Sequence, residues 1–127
     1  MPSRVPPSFR SDLEPFLREF ADQHRGVRSG VMFGRPAIYV GPRLVSCLMD
    51  DGVIVRLPDD IAKKEIKARG EPFSQRLGRA LGSWVMYRPK TVAAARRLAP
   101  ILETAIDHIA RRQVEDMMGV RIRKKSR

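Results

Sequence analysis

Cysteine occurs once in this chain, at Cys47, which excludes an internal disulfide and agrees with a reducing compartment. Histidine is nearly as scarce. His24 and His108 have no cysteine, carboxylate or second histidine at a ligating interval, and Asp107 beside His108 points elsewhere on a helix. No metal site and no cofactor are therefore expected. Eight Phe, Trp and Tyr residues in 127 are too few for a stacking platform for single strands. No apolar run approaches the roughly 20 residues that cross a bilayer, so no membrane partner is expected. The opening Met1–Pro7 lacks the apolar stretch of a signal peptide, which points to the cytoplasm.

Catalytic signatures are missing too. No Ser-His-Asp set, dinucleotide fingerprint or Walker loop is present. Gly78–Gly82 lacks the Lys-Ser/Thr that a phosphate loop uses. The acidic pairs Asp50-Asp51 and Asp59-Asp60 sit at a turn and at a helix start, each a sufficient structural reason. Cys47, between apolar strand neighbours, reads as a small buried hydrophobe, with Arg56 as a candidate cross-strand neighbour. The sequence points away from an enzyme, although a centre on Cys47 or the histidines stays as a minor alternative.

Positive charge is what the chain has in excess, at +11. Residues 121–127 hold five of these charges and residues 1–10 two more, leaving +4 for the body. Within the body no acid falls between Glu71 and Glu103, while Arg76, Arg79, Arg88, Lys90, Arg96 and Arg97 do. Clustered on one face, these would attract phosphates. Arg121, Arg123, Lys124 and Lys125 in the tail are further candidate nucleic-acid contacts, giving salt-sensitive and sequence-indifferent affinity. The competing reading of both stretches is a solubilising charge run.

Residues 1–10, with three prolines, read as a loose arm. Ser11-Asp12-Leu13-Glu14 fits a capping box, and Leu13, Phe16, Leu17 and Phe20 predict a helix over 12–24 that Gly26 ends. Short strands follow: Val31–Phe33, Ala37–Val40 and Leu44–Met49. Asp51-Gly52 then predicts a two-residue hairpin into Val53–Leu57. A tight turn there sets Leu48 opposite Val55. It puts Leu44, Leu48, Val53, Val55 and Leu57 on one face, with Val45, Cys47, Met49, Ile54 and Arg56 on the other. Asp59 or Asp60 caps a helix to Arg69, supported by Asp60–Lys64 and Glu65–Arg69 pairs. Ser83–Arg88 is one more strand. Thr91 caps a short helix to Leu98, and Pro100 breaks or kinks the pattern ahead of a long helix that Gly119 ends. The expected fold is α+β and two-layered. An antiparallel sheet of four to five strands is packed by helices in the order α-β-β-β-β-α-β-α, with one domain over 11–119 and a basic tail over 120–127.

Met32-Phe33-Gly34, then Ile38-Tyr39-Val40, a strand pair around Asp51-Gly52, Glu71-Pro72-Phe73, and Trp84 to Tyr87 followed by Pro89 form an ordered set. Over residues 12–115 it resembles the N-terminal domain of the TfoX/Sxy family. Val55-Arg56-Leu57 and Trp84-Val85 resemble the related MmcQ/YjbR-like group. The resemblance implies an α/β domain on an α-β-β-β-α-β-α plan. It also implies a role in bacterial competence regulation, assisting transcription alongside the cyclic-AMP receptor protein without catalysis. It marks Met32, Phe33, Gly34, Tyr39, Gly52, Pro72, Phe73 and Tyr87 as family-motif positions, whose physical reading is structural: core volume at Phe33, a tight turn at Gly34, a loop anchor at Phe73. The functional expectation is an interaction or regulatory domain with a protein partner. The alternative is direct electrostatic nucleic-acid binding through a basic face and the tail. An open sheet edge or the apolar last helix leaves a homodimer open.

Overall fold

The computed structural model describes residues 9–73 and 83–117. Ser11–Leu13 form a 3-10 turn and α1 (Glu14–Asp22) continues from it, with proline in its first turn, where a missing donor is harmless. Ser11 does not cap this helix. The N-cap position belongs to Leu13, and no side chain accepts there. The start is instead held from outside. Arg10 pairs with Asp12 at 2.9 Å, donates to the Pro89 carbonyl at 2.7 Å, and its backbone N–H reaches the Met49 carbonyl.

Six strands follow in one antiparallel sheet, interrupted by one helix. They are β1 (Val27–Met32), β2 (Arg35–Val40), β3 (Arg43–Leu48), β4 (Val53–Leu57), β5 (Glu71–Pro72) and β6 (Ser83–Tyr87). The spatial order is β1-β2-β3-β4-β6-β5. β5 makes the sheet one strand wider than expected. Glu71 and Pro72 pair with Met86 and Val85, the Phe73 N–H adds a bond to the Trp84 carbonyl at 3.2 Å, and Pro72, in the non-bonded position between, turns its N-substituted side to the open edge.

The tight turn lies elsewhere than the Asp51-Gly52 signal implied. Leu48 pairs with Val53, so Met49–Gly52 form a four-residue loop closed by Met49 N–H donating to the Gly52 carbonyl at 2.7 Å. A two-residue type I′ turn needs positive φ, and Gly52 does not have it. Its role is close approach: a Cβ at position 52 would strike the Tyr87 carbonyl oxygen. Positive φ at both turn positions occurs at Phe33 (53°) and Gly34 (79°), which join β1 to β2 with Met32 opposite Arg35.

The face assignment of two residues also changes, through a β-bulge. Ile38 pairs with Ser46 but Tyr39 pairs with Leu44, so Val45 is an extra residue on β3. The bulge turns Val45 and Ser46 toward the same side and sends Leu44 to the other. Val45 joins the main core with Leu48, Val53, Val55 and Leu57, while Leu44 joins Cys47 and Ile54 on the opposite face. Ser46 is fully buried, and its hydroxyl donates to the Ile54 carbonyl at 2.7 Å. Arg56 lies opposite Trp84, not Cys47, and its guanidinium stacks over the indole at 4.5 Å.

The described helices belong to one layer on the inner sheet face. α2 (Asp59–Ala68) begins after Pro58 without a side-chain cap, Asp59 accepting instead from the Ser83 hydroxyl at 2.7 Å. Its Glu65–Arg69 pair closes at 3.0 Å. Thr91 caps α3 (Val92–Arg96) by accepting from Ala94 N–H, as expected. Pro100 sits at the start of α4 (Ala99–Met117), so it divides two helices instead of kinking one. Leu98, Ile101, Leu102, Ala105, Ile106 and Ile109 bury one stripe of this region against Ile38, Val45, Val55 and the α1 stripe. No described helix is long and apolar enough to cross a membrane.

Candidate functional site

With helices covering the inner face, the outer sheet face carries its own apolar cluster: Ala37, Leu44, Cys47, Ile54, Trp84 and Met86, with Met32, Tyr39, Met49 and Phe73 packed on it. At the end where the β1–β2 turn meets the β3–β4 loop, this cluster opens into a cleft of about 510 Å³. Its apolar lining is Met32, Phe33, Cys47, Met49, Phe73 and Met86. Alternation explains the set. Met32 ends β1 on the outer side, Cys47 and Met86 face outward from β3 and β6, and Phe73 is held by its N–H donating to the Trp84 carbonyl at 3.2 Å.

The rim is charged, and the charges are matched. Arg35 meets Asp50 at 2.9 Å. Arg88 reaches Asp51 at 2.9 Å and Glu71 at 3.2 Å, tying the β3–β4 loop to β5. The Asp50-Asp51 pair thus orders the mouth of a cleft, beyond its part in the loop. Phe33 is the outlier. Its backbone is left-handed, a conformation bulky residues avoid, and its side chain is 73% exposed at the cleft's edge. Core volume is not its role.

Cys47 is fully buried, with its thiol directed at the Leu48 carbonyl. Burial raises its pKa to about 11 against the opposing influence of Arg35. A thiol held protonated in this way is a poor nucleophile. No group of three or more His, Cys, Asp or Glu that could hold a metal exists among the described residues. Both histidines belong to the helix layer, on the other side of the sheet from Cys47. His24 stacks on Phe20 at 4.1 Å, its Nδ1 lies 2.8 Å from the Phe20 carbonyl oxygen, and its Nε2 approaches Glu103 at 3.4 Å. That is a capping role. The chemistry the cleft offers is accommodation of an apolar group between fixed charges.

The family-motif positions divide between the two faces. Met32, Phe33 and Phe73 meet at the cleft, and Gly34 completes the turn that presents Phe33. Pro72 lies in β5 at the sheet edge. Tyr39 is on the outer face but toward the other end, beneath Arg28 at 4.7 Å. Tyr87 is on the inner face, where its hydroxyl donates to Glu65 at 2.7 Å. The described members of the basic stretch are spread over different faces. Arg88 belongs to the outer face, whereas Arg96 sits in the helix layer at 3.7 Å from Glu19, beside exposed Arg97. Exposed Lys90 precedes α3. Arg76, Arg79, Arg121, Arg123, Lys124 and Lys125 lie outside the described residues. Sequence reasoning did not single out Arg35, Met49 or Met86 as site residues. The expected split that set Cys47, Met49 and Ile54 on the second face of the hairpin was the signal for this side of the sheet, and Met86 extends it onto β6.

The chain matches no family model, and neither a curated protein nor a solved structure matches it.

Proposed function

We propose that this chain is a non-catalytic interaction domain of the TfoX/Sxy N-terminal type, which takes an apolar segment of a protein partner in its outer-face cleft. The observation that carries the reading is Phe33, a large aromatic held exposed in a left-handed turn beside a thioether-lined cleft. Backbone strain at an exposed aromatic is a cost that binding explains and folding does not. Methionine side chains suit such a surface because they re-pack around different apolar groups. The matched charges at the rim add orientation, through Arg35, Arg88, Asp50 and Asp51. The motif resemblance supports a regulatory context, with a transcription protein as the partner.

The test uses methionine methyl groups labelled with carbon-13 in the full chain. Titration with a cyclic-AMP receptor protein, and separately with peptides selected by display, is expected to shift Met32, Met49 and Met86. Phe33→Ala should weaken the selected peptides by about tenfold or more, as truncation of a central aromatic anchor does. Unmoved cleft methyls with both probes would sink the proposal.

A further inference from the structure

The two edges of the sheet differ. At one, β5 has two residues, one of them Pro72; at the other, β1 runs six residues from Val27 to Met32 with neither proline nor lysine. In a hairpin with a two-residue turn, the residues flanking the turn exchange hydrogen bonds, and bonding then alternates. Met32, Gly30 and Arg28 therefore bond to Arg35, Ala37 and Tyr39 of β2, following the observed register. Val27, Ser29 and Val31 turn their N–H and C=O groups to the open side.

Two of those six outward groups already have partners. The Val27 N–H donates to the His24 carbonyl at 3.2 Å, and the Val31 carbonyl accepts from the Tyr39 hydroxyl at 2.7 Å. Among the described residues, the Ser29 and Val31 N–H groups and the Val27 and Ser29 carbonyls remain, two donors and two acceptors. We infer that the occupant of this edge is a second copy of the chain, its β1 antiparallel about a two-fold axis at Ser29. In that register Ser29 bonds Ser29 of the other copy in both directions, and each Val31 N–H donates to the other copy's Val27 carbonyl. The remaining two groups of the Val31–Val27 pair are the two already satisfied within each chain. All four open groups are matched and none is left over.

The side chains agree with the same register. Val31, 64% exposed, would be covered on the helix side by Val27 of the other copy. On the outer side Arg28 faces Gly30, so the two arginines avoid each other and each meets a position without a side chain. A two-strand contact is small, so the association is weak and concentration-dependent. It involves none of the cleft residues except through Met32, and it stands whether or not the cleft binds a partner.

Sedimentation of the full chain over a concentration series should show reversible dimers. Ser29→Pro removes both central donors and should weaken association by about tenfold or more. Ser29→Cys keeps the fold question separate. Facing residues in a hydrogen-bonded pair lie about 5.5 Å apart at Cα, within disulfide reach, so oxidation should give a covalent dimer. Arg28→Cys, opposite Gly30, should not. The inference fails if the chain is monomeric throughout, if the two cysteine variants cross-link alike, if folded Ser29→Pro dimerises normally, or if a free Val27–Met32 peptide binds more tightly than the chain binds itself.

Discussion

The Tyr87 hydroxyl and the Arg69 guanidinium converge on one oxygen: Glu65 Oε1 accepts from the first at 2.7 Å and from the second at 3.0 Å. This links α2 to β6, and Tyr87 is nearly fully buried beneath it. Tyr87→Phe should lower stability by about 1 kcal/mol, since Glu65 keeps its arginine. Glu65→Leu should cost more, about 1–3 kcal/mol, because it strands a buried hydroxyl. Urea midpoints with an unchanged slope measure both.

Phe33→Asn gives the β1–β2 turn a residue that accepts left-handed backbone. Stability should rise by about 1 kcal/mol while affinity for cleft-binding peptides falls. Thermal melts and peptide titrations on the same variant read the two effects. A loss of stability would contradict the turn geometry.

Burial raises the Cys47 pKa from its ordinary 9.0 to about 11, and burial, aided by Glu65, raises that of Tyr87 as well. In both cases the folded state holds its proton longer than the unfolded state. The stability contributed by the thiol is therefore complete below pH 9.0 and is lost as pH rises through about 11. Urea midpoints across that window should fall, and fall less steeply in Cys47→Ala. At neutral pH a disulfide reagent should label Cys47 only as fast as the chain opens.

Direct nucleic-acid binding makes a different demand. Five cations occur in residues 120–127, so their deletion should reduce the slope of log affinity against log salt by roughly 4 on duplex DNA. Arg88→Ala should leave the slope unchanged, because Asp51 and Glu71 already occupy that guanidinium. Filter binding over a salt series separates the two contributions.

Period and punctuation made most of the architecture legible. The α1 and α4 stripes, the Thr91 cap, the break at Pro100 and the helix after Pro58 are local signals with local causes. The strand pairing was harder. Asp51-Gly52 is a stronger turn signal than Phe33-Gly34, yet the tight turn is at the latter. Gly52 is required for its closeness to β6, which no local pattern reports. The Val45 bulge is equally silent, since Leu44-Val45-Ser46 alternates as well in one register as in the next. The cleft depends on both, so its members were found singly, as a motif residue, a buried thiol or a turn aspartate, and never as a set.

The unequal edges have one more consequence. A sheet that can grow at both ends adds copies without limit, as fibres do. Here Pro72 and the brevity of β5 shut one end, so joining two β1 strands uses up the only long unpaired edge among the described residues. In the dimer proposed above, growth would stop at two. Pro72, whose missing N–H lies on the open side of β5, would thus set the arithmetic of assembly, and Pro72→Val, which supplies that donor, is the change that would turn a closed pair into a chain of copies.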